Sequence, residues 1–123
     1  MTKAAEVRSD NDSRDPGGGL LVRIDDVARL AETLAGVRFK ESDGLPEWRY
    51  HGRLVARQLD GEHLVIRADF EYRDAIVRQF PGTFSVPARY TKHMMVVADL
   101  AQGDVGAIED AFGTAWQLQR DAD

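Results

Sequence analysis

The chain has 123 residues, 43% apolar and 30% charged, with no cysteine and a formal net charge of −5. That length suits one domain with a modest core, and the missing cysteine excludes disulfides, thiol catalysis and thiolate metal sites while fitting a reducing cytoplasm. Net acidity argues against strong polyanion binding by the chain as a whole, yet charge is unevenly spread. Residues 38–92 hold 10 Lys/Arg against 8 Asp/Glu, a balance of +2, whereas residues 93–123 hold one Arg against six acids, a balance of −5.

Residues 1–21 are polar and charged and read as a disordered tail, with a single domain over 22–120. Their start lacks the apolar h-region of a secretory signal, and no apolar run approaches the roughly 20 residues of a membrane span. The expected location is therefore cytoplasmic, with no membrane partner. Gly17-Gly18-Gly19 has neither a preceding strand nor a following Lys-Ser/Thr, so it reads as a linker and not as a phosphate loop.

Asp25 is a candidate N-cap for a helix over 26–35. Val27, Leu30, Ala31 and Leu34 recur at i, i+3, i+4, i+7, and Gly36 stands where a positive φ ends helices. Residues 37–46 read as an irregular, partly extended connection with a turn at Ser42-Asp43-Gly44.

Residues 47–68 read as a three-stranded meander turning at His51-Gly52 and Asp60-Gly61, both hairpin signals. Two-residue turns pair Tyr50 with Arg53, Trp48 with Val55 and Arg57 with Leu64. One face then carries Trp48, Tyr50, Val55, Leu59, Leu64 and Ile66 as core. The other carries Arg49, Leu54, Ala56, His63, Val65 and Arg67, an apolar floor with a basic rim. A three-residue turn at His51-Gly52 would shift the first strand by one place and move Arg53 and Arg57 off the covered face.

Asp69 is expected to cap a helix over 70–79, with Ile76, Val77 and Phe80 buried and Pro81-Gly82 ending it. A short strand over 83–86, a loop over 87–92 and a buried strand over 93–100 follow. Asp104 then caps a final helix to about residue 118, whose apolar positions include Val105, Ile108, Phe112, Ala115 and Trp116. Gly106 and Gly113 each weaken that helix by about 1 kcal/mol relative to alanine, and Gly113 suggests close packing. Strands in runs with helices at the ends indicate α+β.

No HExxH, GxSxG, P-loop or dinucleotide fingerprint is present. The histidines lie far apart in sequence, and the acidic pairs read as caps or solvated faces. Arg89, Tyr90, Lys92 and His93 form the densest cationic and aromatic patch.

From Val22 to about Gln119 the sequence resembles the MmcQ/YjbR family. The carrying features are Gly36-Val37 after the first helix, Gly52-Arg53-Leu54-Val55-Ala56 where the family has a Gly-Lys-x-Phe-Ala-like segment, the acid-led helix from Asp69, and Pro81 to Phe84. Pro87 to Tyr90, Thr91-Lys92 and Ala115-Trp116 complete them. Arg53 replaces the usual Lys, Val55 the usual Phe, and Met95 stands about where a Trp is common. The resemblance implies a CyaY-like (frataxin-like) fold: a two-layer α+β architecture with helices on one face of an antiparallel sheet. It also implies a non-enzymatic, DNA-binding role. Frataxin-like iron binding goes with a dense acidic first helix, and this one offers Asp25, Asp26 and Glu32 beside Arg29, so no metal or cofactor is expected. Two readings follow. In the first, Arg49, Arg53, Arg57, Arg67, Arg89, Tyr90, Lys92 and His93 bind DNA weakly and salt-sensitively through the exposed sheet face and the 89–93 loop. In the second, the same half-apolar face, centred on Leu54, Ala56 and Val65, binds another protein.

Overall fold

The computed structural model describes residues 16–123, and side-chain environments from residue 24 onward. Its elements are α1 (Pro16–Thr33), β1 (Val37–Ser42), β2 (Leu45–Tyr50), β3 (Arg53–Asp60), β4 (His63–Arg67), α2 (Phe70–Gln79), β5 (Phe84–Ser85), β6 (Met95–Asp99) and α3 (Val105–Asp121). A 3₁₀ turn, Ala88–Tyr90, lies between β5 and β6. The strands form one antiparallel sheet in the order β1-β2-β3-β4-β6-β5. Residues from all three helices join one core cluster with Trp48, Val55, Leu64, Ile66, Val96 and Ala98, so the architecture is two-layer α+β, as expected. The reading of residues 1–15 as tail lies outside the described residues.

The first helix corrects the sequence reading. It starts at Pro16, runs through the glycine triplet read as a linker, and places Asp25 within the helix and not at its cap. Proline at the first helical position needs no amide partner and brings a helical φ. Gly36, at φ +81°, ends this region as expected, and Val37 N donates to Leu34 O at 3.2 Å. Glycine is needed at position 36 twice over, because an added Cβ would lie 2.6 Å from the Tyr50 ring.

Residues 37–42, expected to be irregular, are a sheet-edge strand. Asp43 and Gly44 both have positive φ, 54° and 78°, which is the two-residue turn that joins twisted strands best. His51 and Gly52 repeat it at 50° and 83°, and Tyr50 pairs with Arg53 as the two-residue alternative requires.

Beyond that turn the register departs from expectation. Arg49 faces Leu54 but Trp48 faces Ala56, so Val55 is a bulge residue. Both Val55 and Ala56 are buried in the main core, at 0% exposure. A second irregularity follows. Asp60 pairs with His63 and Gln58 with Leu64, leaving Leu59 as the extra residue and moving Arg57 opposite Val65 instead of Leu64. The turn there is Gly61-Glu62 and not Asp60-Gly61. The Asp60 carboxylate accepts from Glu62 N at 2.8 Å and from His63 Nδ1 at 2.9 Å. A side-chain-closed turn of this kind needs no positive φ.

α2 and α3 begin where expected. Asp69 accepts from Tyr72 N at 2.9 Å and Asp104 from Ala107 N at 2.8 Å, satisfying amides that a helix start leaves unpaired. Phe112, fully buried, meets Trp48 edge-on at 5.5 Å between ring centres, a geometry worth about 0.5–1.5 kcal/mol beyond burial.

Two glycine substitutions should shift stability in opposite directions. Gly36→Ala should lower it by about 1–2 kcal/mol or more, from the left-handed backbone and the Tyr50 contact. Gly113→Ala should raise it by about 0.5–1 kcal/mol, because a Cβ there meets nothing within 4 Å. Chemical denaturation of the two variants checks both signs.

Candidate functional site: the strapped face of the sheet

Register decides which side chains share the face turned away from the helices. Across the sheet run Lys40, Glu47, Arg57, Val65, Val97 and Ser85, and beside them Arg38, Arg49 and Leu54. Arg67 pairs with Met95 on the same side. Residues 86–94 form a strap over the β4–β6 part of this face. Its Tyr90 packs on Val65 and Val97, with Leu59, Val86 and Met95 around them, as a second, smaller core.

The strap is anchored from the helix layer. Arg73 on α2 is 7% exposed, and its Nη1 donates to the carbonyls of Tyr90, Thr91 and His93 at 3.3, 3.2 and 2.9 Å. Its Nε donates to Asp74 at 3.2 Å, and the guanidinium lies over the Phe70 ring at 4.9 Å. A buried cation facing three carbonyls replaces amides that an irregular segment cannot supply. Sequence reasoning missed Arg73 because it is a charged residue on a helix read only for its apolar side.

The structure gathers Arg57, Arg89, Tyr90, Lys92 and His93 at the strap. Arg57 Nη2 donates to the Tyr90 hydroxyl at 3.1 Å, Arg89 lies over the Tyr90 ring at 4.9 Å, and His93 meets that ring edge-on. Arg89, Lys92 and His93 are exposed and Tyr90 is buried. Arg49 also belongs to this face. It donates to the carboxylate of Glu47, itself 5% exposed, and to Gly52 O at 2.9 Å.

Arg53 lies elsewhere. It shares the helix-side face with Tyr50 and donates to Gln119 O at 2.8 Å and to the Asp123 carboxylate, beyond the end of α3. That carboxylate also accepts from His51 Nδ1 at 2.9 Å. The hydrogen bond from Arg53 is the main cause that holds the Asp123 carboxyl below the usual aspartate range; desolvation opposes it, and the charges of Arg53 and His51 add to it.

The apolar floor expected on this face is largely internal. Ala56 belongs to the main core and Val65 lies beneath Tyr90, each at 0% exposure. What the face presents is charge. Among the described residues, Arg38, Lys40, Arg57, Arg67, Arg89 and Lys92 have no carboxylate ion-pair partner. The helices carry Asp25, Asp26 and Glu32 on α1, Glu71 and Asp74 on α2, and Glu109, Asp110 and Asp121 on α3, while the strands carry Glu41, Glu47, Asp60 and Asp99.

Among the described residues no group of three His, Asp or Glu side chains is placed to hold a metal ion, and no helix is long and apolar enough to cross a membrane. No family model, curated protein or solved structure matches the chain.

Replacing Arg73 with Met should free the strap, since three carbonyls lose a charged donor. Hydrogen exchange at the amides of Tyr90, His93 and Met95, each bonded within this region, should accelerate, and stability should fall by about 1.5–3 kcal/mol. For Asp123, a folded pKa below the unfolded one means stabilisation that is present above the unfolded value and lost as pH falls through the folded value. Asp123→Asn should therefore be less stable than the parent at neutral pH and converge with it in acid, as followed by thermal melts across pH.

Proposed function

We propose that this chain is a small non-enzymatic DNA-binding domain of MmcQ/YjbR type, acting in the cytoplasm through the strapped face of its sheet. The observation that carries this reading is the charge of that face. Five ladder positions are Arg or Lys (Arg38, Lys40, Arg49, Arg57, Arg67), the strap adds Arg89 and Lys92, and of the carboxylates on the same ladder Glu47 is taken by Arg49 while Asp99 accepts from the amides of Ala101 and Gln102. Cations without a carboxylate partner, which here are all of these but Arg49, can exchange condensed counterions for phosphates, the main source of affinity for DNA.

The same geometry shapes the kind of binding. The aromatic ring on this face, Tyr90, is buried under Arg89 and against Val65 and Val97, so it offers no platform for a base to stack on. Phosphate contacts without base contacts position a protein but do not read sequence. The reading is thus of sequence-independent binding, with Arg38, Lys40, Arg57, Arg67, Arg89 and Lys92 toward the backbone. Arg53, bound to the end of α3, acts in the fold and not at the interface. The element order and the resemblance carried by Gly36-Val37, residues 52–56 and Ala115-Trp116 support the family reading. The protein-binding alternative keeps only Leu54 of its apolar centre at the surface, because Ala56 and Val65 are interior.

Fluorescence anisotropy with a labelled duplex at two salt concentrations tests this. Affinity should fall steeply with salt, by about 0.9 in log K per log salt for each phosphate contact, and should change little when the duplex sequence is scrambled. Arg67→Glu and Lys92→Glu should each weaken binding, and Arg78→Glu, on α2, should not. Absence of binding at low salt, or equal affinity in the Arg67 and Lys92 variants, refutes the reading.

A further inference from the structure

On the opposite side of the molecule an open groove of about 730 Å³ lies between α2 and α3, with Leu30 of α1 also in its lining. Tyr72, Ile76, Phe80 and Ala107 give it an apolar floor, and Glu109 and Asp110 line its α3 side. Two features of this groove weaken the free protein without any compensating contact inside it. One is Gly113, in the interior of α3, where glycine lowers helix stability although nothing lies within 4 Å of a Cβ built there. The close packing expected at Gly113 is therefore absent from the fold itself. The other is the carboxylate cluster. Burial first, then the charges of Asp26 and Asp110, raise the Glu109 carboxyl above the usual glutamate range, and only Arg29 opposes them.

We infer that this groove is a docking site for a basic amphipathic helix of a partner protein, whose backbone approaches α3 at Gly113 and whose Lys or Arg side chains meet Glu109 and Asp110. Each part of that occupant answers an observed feature. The apolar stripe of such a helix covers Ile76 and Phe80, the missing Cβ lets two helix axes come close, and cations remove the like-charge strain. An acidic or purely apolar segment would satisfy the floor and leave the rim unpaired. The inference is independent of the DNA-binding reading, since the groove and the strapped face lie on different layers.

The same features supply variants that separate docking from folding. Gly113→Leu adds a good helix former in open space, and Glu109→Gln removes the charge that burial disfavours. A raised folded pKa costs stability as pH rises through it, so both variants should melt no lower than the parent at neutral pH. Two synthetic peptides of equal length serve as probes, one a Leu/Lys amphipathic helix and the other its Leu/Glu counterpart. In amide NMR titrations the Leu/Lys peptide should shift Ile76, Phe80, Gly113 and Thr114, and either variant should weaken it by about tenfold, equivalent to 1.4 kcal/mol. No shifts at these positions, equal binding of the Leu/Glu peptide, or unchanged affinity in both variants would overturn the proposal.

Discussion

The extra residue at Val55 determines what the two sides of this sheet can be. Strand alternation alone would put Val55 and Ala56 on opposite faces. The bulge turns both into the main core and re-phases the rest of β3, so that Arg57 emerges on the strapped side opposite Val65. Arg53, before the bulge, faces α3 and finds the Gln119 carbonyl and the Asp123 carboxylate. Two arginines four residues apart thus reach opposite faces, although in an unbroken strand they would share one. A bulge also increases local twist, which suits a sheet whose three helices lie on one side.

Much of the fold was readable because local chemistry dictated it. Asp69 and Asp104 each precede an apolar helical pattern and each caps the helix it introduces. Gly36 and the His51-Gly52 pair occupy the positive-φ positions that their residue types favour. Asp43-Gly44 carried the same signal and was read as a turn but not as a hairpin, because β1 reads as Arg, Lys and Glu with one Phe and has no buried face. An edge strand exposed on both sides loses the alternation that identifies strands.

The unreadable parts are those decided by contacts between distant residues. Val55-Ala56 is apolar at both positions, so neither residue marks itself as the one that breaks alternation. Leu59 was assigned to the helix side because an unbroken count from Val55 leads there, and the bulge at Val55, which puts Arg57 on the strapped side, sends Leu59 two residues on beneath the strap. The Arg89 to His93 patch was visible as composition. Its placement over Val65 and Val97 depends on Arg73, some twenty residues away, offering one guanidinium to three carbonyls. With that strap in place, a face read as half apolar is polar at its surface.

α2 is the element that both surfaces share. Arg73 and Ile76 lie three residues apart on it, hence on neighbouring positions of one turn. Arg73 reaches past the sheet edge to hold the strap, and Ile76 lines the groove toward α3. Asp69 fixes where this helix starts through its bond to Tyr72 N, and Phe80 ends it by donating its amide to Ile76 O at 2.8 Å. Both ends being tied, the helix holds its register against β5 and β6, and the strap and the groove wall are positioned by the same ten residues. The charge pattern follows the same division. Strand register spaces Arg38, Lys40, Arg57 and Arg67 along one side of the sheet, and the helices carry eight of the carboxylates together with Arg29, Arg73, Arg78 and Arg120. A chain with net charge −5 can therefore present a cationic face, because the carboxylates that share it, Glu47 and Asp99, are engaged by Arg49 and by backbone amides.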